Sequence, residues 1–128
     1  MSITYFISGH LDLTKEEFEE HYVPLLEAAL VASANFVVGD AQGADTMTQD
    51  FLRTHTQMVT VYHMFEKPRH NAGFFTKGGY ETDKLRDSAM TWASDRDIAW
   101  VRPGRERSGT AQNLARRVEV ELTLYHSV

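Results

Sequence analysis

Three short stretches of this chain combine glycine with small polar or acidic residues: Ser8-Gly9-His10, the run from Gly39 to Asp45, and Ser108-Gly109-Thr110. Glycine lets the backbone come close to a bound molecule, and a helix starting just after such a turn aims unpaired N–H groups at an anion. Together these turns suit a phosphate-bearing small molecule. Around them stand groups capable of chemistry: the carboxylates Asp45 and Asp87, the guanidinium of Arg86 and the imidazole of His10. A guanidinium fork clamps a phosphate or a ribose, a carboxylate accepts a proton or steadies a developing cation, and imidazole titrates near neutrality.

Each of these residues also has a plainer reading. Asp45 falls in the first turn of a predicted helix, where a carboxylate is favourable as a cap alone. Asp40 can close its turn through its own backbone. Arg86 beside Asp87 can be a surface pair contributing about 0–1 kcal/mol. The chain has no cysteine, and His21, His55, His63, His70 and His126 lack metal-ligand spacing, so neither a metal nor a cofactor is expected. Glu16, Glu17, Glu19 and Glu20 read as a solvated helix face, and Trp92 and Trp100 as core or oligomer contacts. Neither G-x-G-x-x-G nor G-x-x-x-x-G-K-[ST] occurs, which removes support for ordinary NAD binding and P-loop hydrolysis.

The elements that must carry these turns follow from the apolar pattern. Ile3 to Ile7, Asn35 to Val38, Met58 to Tyr62 and Ile98 to Val101 read as buried strands. Thr14 offers a helix cap ahead of Phe18, Tyr22, Leu25, Leu26, Ala29 and Leu30, which share one helical face. Pro24 inside that stretch removes a donor and predicts a kink or a break into two pieces. Ala44, Met47, Phe51 and Leu52 mark a second helix, Leu85, Ala89, Met90 and Ala93 a third, and Ala111, Leu114, Ala115 and Val118 a last one. The alternation over residues 118–125 fits a helix running into the low 120s or a fifth strand, with the helix preferred. Glu66 to Thr82 shows no period. As a loop it reads as a lid, a connector or an arm to a neighbouring subunit, with Lys67, Arg69, His70 and Lys77 beside Phe74, Phe75 and Tyr80.

Strands alternating with helices predict an α/β fold: a Rossmann-like three-layer α/β/α domain around a four- to five-stranded, mainly parallel sheet, spanning 1–128. In such a sheet the three turns gather at the carboxyl ends of the strands, where ligands bind. The composition is that of an ordinary globular domain, with 42% hydrophobic and 24% charged residues. No apolar run is long enough for a membrane span, and Met1-Ser2-Ile3-Thr4 has no leader-like pattern, so a cytoplasmic protein without membrane partners is expected. A net charge of −5 argues against nucleic acid as a partner, although residues 102–117 contain five arginines.

Val37 to Asp45, Arg86-Asp87 with Met90, and Ser108-Gly109-Thr110 with Asn113 together resemble the SLOG superfamily. These Rossmann-like proteins include the lonely-guy phosphoribohydrolases, the DNA-processing protein A fold and nucleotide sensors of bacterial defence systems. The resemblance extends from about the first strand to Arg117. It implies a nucleotide lying across Ser8, Gly9 and His10 and across Gly39, Asp40, Gly43, Ala44 and Asp45. Its phosphate would sit near Ser108, Gly109 and Thr110, within reach of Arg86 and Asn113. It also implies a homo-oligomer formed through helices flanking the sheet. In the phosphoribohydrolase branch an arginine like Arg86 pairs with a glutamate three residues after the Gly-Thr. Here Asn113 holds that place, and an amide supplies neither a base nor a charge. The departure favours binding or sensing of a nucleotide over hydrolysis of its N-glycosidic bond. In the hydrolytic alternative Arg86 would hold phosphate or ribose while Asp45 or Asp87 supplied the carboxylate. A third alternative is a structural or partner-binding protein whose glycine turns are only turns.

Overall fold

In the computed structural model, which describes residues 2–126, the chain runs β1 (Thr4–Ser8), α1 (Lys15–His21), α2 (Val23–Val31), β2 (Asn35–Val38), α3 (Ala44–Leu52), β3 (Val59–Met64), β4 (Phe75–Tyr80), α4 (Asp83–Trp92), β5 (Arg96–Ala99) and α5 (Gly109–His126). The five strands form one parallel sheet in the order β4-β3-β2-β1-β5, an α/β architecture of Rossmann-like type. Alternate strand residues feed two cores, as a pleated strand requires. Ile7, Phe36, Val38 and Val61 meet Phe18, Tyr22, Leu26 and Leu52 of the first three helices, while Phe6, Val37 and Tyr62 meet Met90 of α4 on the other face.

Local chemistry explains the element boundaries. Thr14 caps α1 in a reciprocal box: its hydroxyl accepts from the Glu17 N–H at 3.1 Å, and the Glu17 carboxylate accepts from the Thr14 N–H at 2.9 Å. Pro24 splits the predicted long helix at Tyr22, because in the first turn of α2 its missing donor costs nothing. Residues 118–125 continue α5, in agreement with the helix preferred from the sequence.

The stretch from Glu66 to Thr82 is not a structureless loop. It contains β4, and β4 rather than 118–125 is the fifth strand. Its side chains from Phe75 to Gly79 are all exposed, so an edge strand here writes no apolar alternation. Gly78 is needed because a Cβ there would overlap the ring of His63 on the neighbouring strand. The connection from β3 is anchored, not free. Gln49 of α3 donates to the Gly39 and His70 carbonyls at 2.9 and 3.2 Å and accepts from the Ala72 N–H at 3.0 Å, and Phe74 enters the core.

The chain steps outward from β1 through β2 and β3 to β4, then returns to place β5 on the other side of β1. The crevice between the carboxyl ends of β1 and β5 is therefore the topological switch point, the place where open parallel sheets bind ligands.

Candidate functional site

A cavity of about 570 Å³ opens at that switch point, a volume within the range of small-molecule sites. One wall is the turn after β1. Gly9 allows α3 to close onto it, since a Cβ there would lie 2.5 Å from that of Ala44. His10 is buried, and its Nε2 accepts the Arg102 N–H at 2.9 Å, which leaves the ring proton on Nδ1. Burial first, and then the charges of Arg102 and Arg105, lower its pKa, so His10 stays neutral and fastens the segment after β5. Ser8 lines the cavity, and its buried hydroxyl has no partner among the described residues.

The turn is tied to β5 by Tyr22. Its hydroxyl donates to the Ser8 carbonyl at 2.7 Å and accepts from the Trp100 N–H at 3.1 Å. Burial pushes that hydroxyl up to about 12, which keeps it a donor across the ordinary pH range. Removing it in Tyr22→Phe strands a buried carbonyl and lowers stability by about 1–3 kcal/mol, read from the urea midpoint. A change under a few tenths of a kcal/mol would show that the switch point needs no such tie.

The opposite wall is the amino end of α5, where Gly109 and Thr110 face the cavity. The Ser108 hydroxyl accepts the Ala111 N–H at 3.2 Å and so acts as the helix cap. Arg105 stands beside this end, half-exposed, with one nitrogen on the Asp12 carboxylate at 2.7 Å.

The floor is a continuous chain of charged and amide groups. Arg69 donates to both oxygens of Asp40, through Nη2 at 2.8 Å and through Nε and its backbone N–H. Arg86 donates to Asp40 at 2.8 Å and through Nε and Nη2 to Oδ1 of Asp87 at 3.1 and 2.9 Å, and it forms an ion pair with Asp83 at 3.1 Å. Asn113 then donates to the other oxygen of Asp87 at 3.1 Å and accepts from Arg116. Burial opposes the charge on Asp40, but the Arg69 bonds and the neighbouring Arg86 hold its carboxyl below the usual range. Burial likewise opposes the charge on Arg86, and Asp87 and Asp45 outweigh it.

Asp45 departs from its neighbours. It is buried, makes no ion pair among the described residues, and accepts one hydrogen bond, from the Ala41 N–H at 3.1 Å. Burial raises its carboxyl to about 7 against the pull of Arg86.

Ser8, Gly9, His10, Asp45, Arg86, Asp87, Ser108, Gly109, Thr110 and Asn113, all expected at a site from the sequence, line this one cavity. Gly39, Asp40, Gly43 and Ala44 stand behind it instead, where Asp40 anchors the two arginines and Gly43 starts α3. The surface-pair reading of Arg86 with Asp87 is overturned, because the Arg86 side chain is only 6% exposed. Asp12, Asp83, Arg69 and Arg105 also line the cavity and were not singled out as site residues. Position next to a glycine turn could have flagged Asp12 and Arg105, but Arg69 reaches the site only through the crossover to β4.

The chain matches no protein-family model, no curated protein and no solved structure. Among the described residues no group of three metal-ligating side chains is present, and no helix is long and apolar enough to cross a membrane.

Proposed function

We propose that this cavity binds a nucleotide or a related phosphorylated small molecule. The observation that carries the reading is the convergence of two unsatisfied features on one cavity at the switch point. The amino end of α5 offers the N–H groups of Gly109 and Thr110 beside Arg105, and Ser8 offers a buried hydroxyl without a partner. A phosphate at the helix end and a polar group at Ser8 would use both. The Arg86 fork is already occupied by three carboxylates, so Arg86 holds the floor in place, whereas half-exposed Arg105 has a contact with Asp12 through Nη2 and is the cation better placed to meet a phosphate. For self-association, the exposed Trp92 of α4 and Val118 and Leu122 of α5 offer apolar surface.

A second reading, hydrolysis of a nucleotide N-glycosidic bond, draws on Asp87. Three hydrogen bonds from Arg86 and Asn113 pin this carboxylate in the cavity wall, as needed to steady an oxocarbenium-like ribosyl cation while water adds and the base leaves with a proton. Asn113 thus supports a carboxylate in place of supplying one.

Both readings are tested with a panel of nucleosides and nucleotides followed by melting temperature and by chromatography for free base. A bound nucleotide at 100 times its dissociation constant adds about 2.7 kcal/mol to stability. Base release that disappears in Asp87→Asn would establish hydrolysis. Stabilisation without release would leave a binding protein, and neither effect across the panel would refute the nucleotide site.

A further inference from the structure

Four aspartates, Asp40, Asp45, Asp83 and Asp87, surround two arginines, Arg69 and Arg86, on the cavity floor. The Arg86 nitrogens are directed at Asp40, Asp83 and Asp87, and those of Arg69 at Asp40 and Asp83. Asp45 alone of the four is left without a cation bonded to it, although its Oδ2 and the Arg86 guanidinium both crowd Gly39, where a Cβ would lie 2.5 and 2.9 Å from them. A buried carboxylate with one amide donor and no bonded cation is costly to charge. The groups facing it point the same way. Asp40 in the turn after β2 and Asp87 on α4 oppose its ionisation, Arg86 favours it, and the Tyr22 hydroxyl also lies within its field. The cavity's remaining charges, Asp12 and Arg105, lie paired with each other on the far side, and His10 is neutral.

We infer that Asp45 serves this cavity as a neutral hydrogen-bond donor, so that the ligand presents acceptor oxygens to Asp45 and to the unpaired Ser8 hydroxyl. This rests on the binding reading above and narrows it: the group seated there is a phosphate or carbonyl oxygen, not an ammonium or a set of donor hydroxyls. Binding an acceptor there holds the proton on Asp45, so the protein takes up a proton with its ligand once the pH exceeds that at which the free carboxyl ionises. Affinity is level at lower pH and then falls with rising pH, by up to about tenfold per unit for one linked proton.

The test is calorimetry between pH 6.5 and 9 with the best-binding nucleotide, its parent nucleoside and ribose 5-phosphate as probes, each titrated in two buffers of different ionisation enthalpy. Most of the range lies above the second phosphate ionisation, near pH 6, so at its upper end the ligand's own charge is constant. The expected result is uptake of close to one proton at pH 8 and an affinity that declines above neutrality. Asp45→Asn, which keeps an acceptor for Ala41 and a donor for the ligand, gives an affinity level with pH and no uptake. Uptake with the nucleoside assigns the acceptor to the base or sugar, and uptake with ribose 5-phosphate alone assigns it to the phosphate. Binding by wild type without proton uptake, or with proton release, overturns the inference while leaving the binding reading intact. If no probe binds, both fall together. The wild-type measurement decides the matter even if Asp45→Asn does not fold.

Discussion

Replacing Arg86 with Met is expected to lower the free energy of unfolding by about 3–5 kcal/mol, a large share of the roughly 5–15 kcal/mol that holds a domain together. The reason lies in what the substitution leaves behind. Asp40 has a fully buried side chain and would keep only Arg69, while Asp87 would keep only Asn113. The cost is that of stranded charge more than of lost packing, since Met fills much of the arginine stem. Two further variants separate these causes in urea titrations. Arg86→Lys restores the charge but not the planar fork that reaches Asp40 and Asp87 at once, and is expected to recover less than half of the loss. Adding Asp40→Asn to Arg86→Met removes one stranded charge and should recover part of it. If the double variant is as unstable as the sum of the two singles, the floor is not held by charge pairing and the account given of Asp87 fails with it.

The second large effect is expected at Gly43. This residue starts α3 with φ 76° and ψ −124°, a conformation that essentially only glycine adopts. A Cβ there would also run into the Leu11 and His10 carbonyl oxygens, the latter at 2.5 Å. Those oxygens belong to the backbone of the turn after β1 and cannot rotate away as a side chain would. Gly43→Ala is therefore expected to cost about 2–4 kcal/mol, combining backbone strain with overpacking. It should also displace His10 from Arg102. Gly73 supplies the comparison. Its φ is 108°, but a Cβ there meets nothing within 4 Å, so Gly73→Ala carries the conformational strain alone, about 1–2 kcal/mol. Equal losses at the two positions would show that the close approach to the turn is unimportant.

Much of this architecture was legible in the chain because it rests on local signals. Phe6 and Ile7, Val37 and Val38, and Val61 and Tyr62 are adjacent apolar residues buried on the two opposite faces of a parallel sheet. Thr14 and Pro24 act within one helical turn of their own positions, so their effects did not depend on the rest of the fold. The three glycine turns were readable for the same reason, and alternating strands and helices are enough to bring them to one end of the sheet.

What distance in sequence hid was decided by packing. The edge strand β4 buries almost nothing of its own residues from Phe75 to Gly79, and it exists because Thr60, Val61, Tyr62 and Met64 of β3 offer a partner ladder. Asp40, expected at the site from its glycine turn, anchors Arg69 and Arg86, which close on it from 29 and 46 residues away. Asp45 and Asp87 are both aspartates beside a glycine turn or an arginine, and no local pattern distinguishes them. The fold gives Asp87 three donors and buries Asp45 with one, and that difference in desolvation and partners raises the carboxyl of Asp45. Local spacing therefore determines the elements and the end of the sheet where they meet, whereas the charge state of each group depends on neighbours that only the tertiary structure supplies.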